Sequence, residues 1–92
     1  MCGLYGIAGR GINPAEDFKV YFELGMVNML RGTDSTGYYE AHDFTSKEKL
    51  LKETGDFSYF AWMRTQGSEA KKYPKERIFD DKGVDLIMGH NR

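Results

Sequence analysis

The amino-acid sequence predicts a small α+β protein with mostly antiparallel strands and two helices. A glycine-punctuated apolar segment at residues 3–9 has the character of a buried strand. Apolar side chains recur at helical spacing through residues 18–30, which indicates an amphipathic helix. Residues 38–53 then have the pattern of a β-hairpin. We expect four or five strands in all, and a chain of 92 residues supports at most one domain.

The only cysteine, Cys2, stands directly before the first strand. Removal of Met1 is expected when the next residue is small, and it would leave Cys2 with both a thiol and a free α-amine. Their ordinary pKa values, about 8.5 for the thiol and about 7.7 to 8.0 for the amine, allow the amine to take the thiol proton near neutral pH. Cys2 is therefore a candidate nucleophile, and a small buried apolar cysteine near a terminus is the alternative.

The first helix has clear start and stop signals. Asn13 is the predicted N-cap, Pro14 the first helical residue, and Glu16 completes the capping pattern. Gly25 lies on the apolar stripe and predicts a close approach to the sheet, while Gly32 suits the C-terminal cap. The stripe is expected to be a core face and consists of Phe18, Tyr21, Phe22, Met26, Met29 and Leu30.

The segment RGTDSTG, Arg31–Gly37, has the composition of a tight connection because Gly, Asp, Ser and Thr all favour turns. We expect it to lead into a strand at residues 38–42, a turn at 43–47 and a returning strand at 49–53. His42 is interpreted as a packing or surface histidine, since no second ligand accompanies it at metal-binding spacing.

A second helix is predicted from the cap residue Asp56 to about Lys71. Its apolar residues form two neighbouring stripes, one of Phe57, Phe60 and Ala61 and the other of Tyr59, Trp62 and Met63. An aromatic-rich helix of this kind is expected to pack on a sheet.

The remainder of the chain divides into a charged segment and a strand. Nine of the fourteen residues at 69–82 are charged and Pro74 interrupts them, which favours a solvated loop. Residues 84–89 alternate in the manner of a strand buried on at least one face. That strand would deliver His90, Asn91 and Arg92 at its end.

Composition excludes several classes of protein. The formal net charge is −1, with 3 basic and 6 acidic residues in positions 1–46 and 10 and 8 in positions 47–92, so no basic face indicates nucleic-acid binding. A single cysteine excludes an internal disulfide framework and a cysteine-rich zinc site. The sequence has neither a membrane-length apolar run nor the pattern of a signal peptide. We therefore expect a cytoplasmic protein, where a reducing environment would keep Cys2 reactive.

Three motifs in order, MCGLYGIAG, RGTDSTG and GHNR, resemble the class II glutamine amidotransferase domain of the N-terminal-nucleophile hydrolases. The resemblance covers both ends and the middle of the chain. It implies a four-layer αββα sandwich of roughly twice this length, two antiparallel sheets with helices outside, of which residues 1–92 would be the N-terminal portion.

The resemblance also implies roles for individual residues. Cys2 would attack the side-chain amide of L-glutamine, and Arg92 would bind the α-carboxylate with its planar guanidinium. Support of the pocket is implied for Arg31, Gly32, Asp34, Ser35, Gly37 and His90. Ammonia would pass to an acceptor site in a synthase domain or subunit, and neither a metal nor an organic cofactor is implied.

The chain departs from the family pattern in one respect, because the Asn-Gly pair that supplies the oxyanion hole does not occur in the 92 residues. Three explanations stay open: a truncated fragment, a split protein whose second chain supplies the rest, or a degenerate relative that serves as a non-catalytic interaction module. A further alternative is an N-terminal-nucleophile hydrolase of another amide.

Overall fold

The computed structural model describes residues 2–9, 12, 14–42, 48–73, 77–79 and 83–92. Four antiparallel strands form one sheet in the order β1-β4-β2-β3. The predicted α+β class is confirmed to this extent. The elements are β1 (Gly3–Ala8), α1 (Pro14–Asn28), a 3₁₀ turn (Met29–Arg31), β2 (Ser35–His42), β3 (Glu48–Thr54), α2 (Phe57–Thr65), α3 (Ser68–Lys72) and β4 (Val84–Asn91).

Helices α1 and α2 contact one face of the sheet, and the core lies between. Because side chains alternate along a strand, each strand gives every second residue to this face. Tyr5 of β1, Tyr38 of β2 and Ile87 of β4 are buried there. They pack with Tyr21 of α1 and with residues of α2, so burial of aromatic rings holds the helices to the sheet.

Two glycines make room for this aromatic cluster. Tyr21 lies at ring-centroid distances of 5.2 Å from Tyr5 and 6.0 Å from Phe57. A Cβ at Gly89 would overlap the rings of Tyr5 and Tyr21, and one at Gly25 would overlap the ring of Phe57. The close approach predicted at Gly25 is therefore to α2, and its carbonyl oxygen also accepts a hydrogen bond from a side chain of β4.

The other face of the sheet is open among the described residues. Leu4 of β1 is 65% exposed and Leu50 of β3 is 75% exposed on this face. Tyr39, Met88 and His90 lie between them and line a shallow apolar depression. A sheet with one face covered and one apolar face exposed has a surface suited to further packing.

The first helix begins at Pro14 as predicted, and its proposed cap Asn13 lies outside the described residues. The predicted core stripe is correct for Tyr21 but wrong for its last member, because Leu30 is 90% exposed. Residues 29–31 adopt 3₁₀ geometry, which turns each residue farther around the axis than an α-helix does. Met26 is exposed as well.

Asp56 caps the second helix as predicted, and its carboxylate accepts the backbone N–H of Tyr59 at 2.9 Å. The predicted extent of this helix is wrong, because it ends at Thr65 and a short separate helix covers residues 68–72. Gly67 lies at the break against the backbone of Met63, where a Cβ would stand 2.9 Å from the Met63 Cα. Phe57, Phe60 and Ala61 form the buried stripe, while Tyr59 and Trp62 of the second stripe are exposed.

The charged segment at 69–82 is only partly the solvated loop that its composition predicts. Ala70 and Ile78 are buried, and Ile78 donates its backbone N–H to the carbonyl of Arg64. Phe79 packs at 4.4 Å from Phe18, measured between ring centroids. Apolar residues therefore fold back from this segment onto the core despite the surrounding charges.

The hairpin is confirmed, since β2 and β3 pair along their length, and the predicted turn at 43–47 lies outside the described residues. Strand β2 begins at Ser35, so RGTDSTG is a shorter connection than predicted. His42 is buried, in agreement with a packing role, and its Nε2 lies 2.5 Å from the fully buried carboxylate of Glu40. Tyr38 Oη donates to the other Glu40 oxygen at 2.6 Å, so this carboxylate is well compensated.

Candidate active site

Three strand ends meet at one edge of the sheet and bring the predicted motifs together. In the antiparallel ladder Asn91 of β4 pairs with Gly3 of β1 on one side and with Thr36 of β2 on the other. Because neighbouring strands run in opposite directions, the start of β1, the end of β4 and the start of β2 coincide. The residues next to these pairs are Cys2, Arg92 and Ser35.

Backbone hydrogen bonds fix Arg92 to the RGTDSTG segment. The N–H groups of Asp34 and Ser35 donate to the Arg92 carbonyl at 2.6 and 3.0 Å, and the Arg92 N–H donates to the Ser35 carbonyl at 3.0 Å. Arg92 lies just beyond the last residue of β4, but these hydrogen bonds to Asp34 and Ser35 hold its main chain in place. Its side chain is exposed and extends from an anchored backbone.

Gly32 is required by the closeness of this contact. A Cβ at Gly32 would overlap the backbone of Arg92. Gly32 ends the 3₁₀ turn as the predicted cap, with its N–H donating to the Met29 carbonyl, but its φ of 178° is extended backbone open to any residue. Space for Arg92, and not left-handed geometry, is therefore the reason for glycine here.

The depression at this end of the sheet, here called the Cys2 pocket, collects most of the predicted site residues. The thiol of Cys2 is reduced and exposed. Arg31, Asp34 and Arg92 present exposed charged side chains around it. The residues lining the pocket are Cys2, Met29, Leu30, Arg31, Gly32, Thr33, Asp34 and Arg92.

The residues that line the pocket are suited to binding a small polar ligand close to a nucleophile. Two guanidinium groups favour a carboxylate, which Arg binds through a planar pair of N–H donors. The Asp34 carboxylate complements a cationic amine. The exposed thiol of Cys2 provides the group that can form a covalent bond.

Three of the predicted pocket residues lie elsewhere. Ser35 contributes backbone hydrogen bonds to Arg92 and does not line the pocket. Gly37 and His90 pair with each other across β2 and β4 and line the depression on the open face of the sheet. The alternation of the strands places both positions on the open face and directs the His90 side chain away from the helices.

Asn91 lies beside the Cys2 pocket without lining it, and the motifs did not predict its structural role. It is fully buried, accepts a hydrogen bond from Tyr5 Oη at 2.8 Å and donates one to the Gly25 carbonyl at 2.9 Å. One side chain thus joins β4, β1 and α1 directly beside Arg92. The sequence feature that could have indicated this role is the position of a polar residue four places after Ile87, which puts both residues on the same buried face of β4.

The head of β1 is held by α1. The Asn28 side chain donates to the Leu24 carbonyl at 2.8 Å and packs against Gly3, where a Cβ would stand 2.6 Å from Asn28 Oδ1. Gly3 is buried immediately after Cys2. The residue that follows the thiol is therefore fixed by a close contact with the last turn of the helix.

Within the residues that the structure describes, no three His, Cys, Asp or Glu side chains are grouped as metal ligands would be. No described helix has the length and apolar character needed to span a membrane. Comparison with protein-family models, with curated proteins and with solved structures gives no match to the chain.

Proposed function

We propose that this chain carries the glutaminase half-reaction of a class II glutamine amidotransferase, with Cys2 as the N-terminal nucleophile. The observation that carries the proposal is the meeting of Cys2, residues 31–34 and Arg92 in one pocket. These residues are 90 positions apart at the extremes, and the antiparallel ladder brings them to one edge. The motif resemblance supplies the reaction.

In the proposed reaction the Cys2 sulfur attacks the side-chain carbonyl carbon of glutamine. The α-amine of Cys2 accepts the thiol proton and passes it to the departing nitrogen, so that a C–S bond forms, the C–N bond breaks and ammonia leaves. Water then hydrolyses the γ-glutamyl thioester, which releases glutamate and restores the thiol. Ammonia serves an acceptor site in a synthase domain or subunit.

Arg92 is assigned to the α-carboxylate of glutamine. Its backbone is fixed by Asp34 and Ser35, and its side chain is exposed at the pocket that also contains Cys2. A guanidinium on an anchored backbone can hold a carboxylate in one orientation, which places the far end of the substrate relative to the thiol. Arg31 adds a second positive charge to the same pocket.

The open sheet face is compatible with the four-layer sandwich that belongs to this proposal. The helices cover one face, and the exposed Leu4 and Leu50 occupy the other, where a second sheet would pack. We place the chain as the N-terminal portion of such a domain. We therefore expect weak turnover by the 92 residues alone, since loss of one oxyanion donor typically lowers the rate about a hundred- to a thousand-fold.

A binding experiment tests the pocket without depending on turnover. We expect Arg92→Ala to weaken L-glutamine binding by about 1.5 kcal/mol, the lower end of what hydrogen bonds to a charged group contribute, because the Arg92 side chain is exposed. Arg92→Lys should restore only part of this loss, because an ammonium lacks the planar pair of donors. The measurement is titration calorimetry. Lys71→Ala is the matched control, because it removes an exposed positive charge outside the pocket. Unchanged affinity in Arg92→Ala would refute the carboxylate role.

A further inference from the structure

Among the residues that the structure describes, strand β3 is an edge of the sheet and has a row of exposed side chains. It pairs with β2 on one side and is the last strand in the order β1-β4-β2-β3. Glu48, Leu50 and Lys52 are exposed on the open face, with Leu50 at 75%. An edge strand has unpaired N–H and C=O groups that can accept another strand.

Charged residues usually protect such an edge from pairing, because like charges meet when two copies approach. Here the exposed charges have opposite signs and flank Leu50 symmetrically, with Glu48 two residues before it and Lys52 two residues after it. A second copy in antiparallel orientation therefore meets complementary charges. The edge is self-complementary and not self-repelling.

Only a few registers need comparison. In a symmetric antiparallel pair, opposite side chains must lie on the same face, so that the two residue numbers of each pair differ by an even number. When Leu50 is opposite Leu50 of the second copy, Glu48 is opposite Lys52 and Lys52 is opposite Glu48. All three pairs lie on the open face.

The neighbouring symmetric register is less favourable. When Leu51 is opposite Leu51 of the second copy, Leu50 is opposite Lys52. On the helix-covered face Lys49 would then have to pair with Glu53. Lys49 Nζ already donates to the Arg77 carbonyl at 2.6 Å, and Glu53 accepts a hydrogen bond from Arg64 at 2.6 Å. Glu48 also accepts a hydrogen bond, from Tyr39 Oη at 2.8 Å, but its carboxylate keeps further lone pairs for Lys52 of the second copy. The Leu50-centred register is favoured because it alone pairs Leu50 with itself and Glu48 with Lys52.

We propose that β3 is a self-association edge, through which two copies of this chain join their sheets into one eight-stranded antiparallel sheet. The backbone of β3 supplies the hydrogen bonds, the Leu50 pair supplies apolar contact, and the two Glu48–Lys52 pairs set the register. This interaction surface is separate from the Cys2 pocket, since none of these residues lines that pocket. The inference does not depend on the proposed function.

A charge-swap experiment tests the register. Glu48→Lys and Lys52→Glu each convert two attractive pairs into two repulsive ones, and we expect each to weaken dimerisation about tenfold. The double variant exchanges the signs, so it should return to within about threefold of the wild-type dissociation constant. Sedimentation equilibrium of the whole chain over a wide concentration range measures all four proteins.

Two further variants separate this edge from other modes of association. Lys19→Glu makes the same charge change as Lys52→Glu at an exposed position on α1, and it should leave dimerisation unchanged. Leu4→Glu lies on the open face but on the opposite edge strand, so it should also have no effect. Loss of the dimer in Leu4→Glu would indicate face-to-face packing of two sheets and overturn the proposal.

The wild-type protein itself provides the most direct outcome. Backbone amides of β3 should gain protection from hydrogen exchange as concentration rises, while those of β1 should not. A wild-type chain that stays monomeric at every concentration would overturn the proposal. Failure of the double variant to recover association would overturn it as well.

Discussion

Asn91 is predicted to be a sensitive polar residue of the fold, because it is fully buried and joins three elements. Asn91→Ala removes hydrogen bonds to Tyr5 Oη and to the Gly25 carbonyl, in a position that is fully buried. Two bonds at about 1 kcal/mol each and a cavity of roughly 25 Å³ at about 24 cal/mol per Å³ give a loss of about 3 kcal/mol in the free energy of unfolding.

The assay is urea unfolding followed by circular dichroism, with Asn28→Ala as the matched control. Asn28 packs against Gly3, but it is only partly buried and its hydrogen bond lies within its own helix, to Leu24, so we expect a loss of about 1 kcal/mol. A double-mutant cycle with Tyr5→Phe should give a coupling of about 1 kcal/mol with Asn91. Equal losses in Asn91→Ala and Asn28→Ala would refute the idea that Asn91 organises the meeting of β1, β4 and α1.

Three further predictions concern the fold. Gly89→Ala should abolish cooperative unfolding, because its Cβ would overlap the Tyr5 and Tyr21 rings, and a normal thermal transition would contradict this. The backbone N–H of Tyr59 lowers the pKa of Asp56, so the stability from this cap is present above about pH 4 and is lost on acidification. Asp56→Ala should therefore cost about 1 kcal/mol at pH 7 and progressively less at lower pH. Asp56→Asn keeps the cap and should show no such trend. Burial raises the pKa of Tyr5 and Tyr21, so stability is intact below about pH 10 and falls above it. Because other tyrosines are exposed, the contribution of Tyr21 is measured as the difference in phenolate absorbance between the wild type and Tyr21→Phe. This difference should rise together with unfolding, and a rise without loss of circular dichroism would refute the burial of the ring.

The elements predicted correctly are those whose signals are local. Pro14 and Asp56 mark helix starts through chemistry that operates within a few residues. The strand at Gly3–Ala8 and the hairpin also follow from short-range pattern. Local signals could not show that the helix after Asp56 breaks at Gly67, where contact with Met63 leaves no room for a side chain.

The misjudged residues depend on distant contacts. Ile78 is buried within a charged segment because it packs against a core built from other elements. Leu30 is exposed because the helix changes to 3₁₀ geometry just before it. For the site, motif order predicted that Cys2 and Arg92 belong together, but only the strand register shows that His90 lies on the other face.

Cys2 is proposed to act as a nucleophile assisted by its own α-amine, and covalent labelling of its thiol is the direct test of this role. The probe is a diazoketone analogue of glutamine, which loses N₂ as the cysteine sulfur forms a thioether, and intact mass spectrometry with peptide mapping locates the adduct. We expect labelling of Cys2 in protein that lacks Met1, protection by L-glutamine but not by D-glutamine, and no labelling of Cys2→Ser. Protein that retains Met1 keeps the thiol but has an amide in place of the amine, so it should label poorly. Equal labelling of the two forms, or labelling that glutamine does not prevent, would contradict the claim.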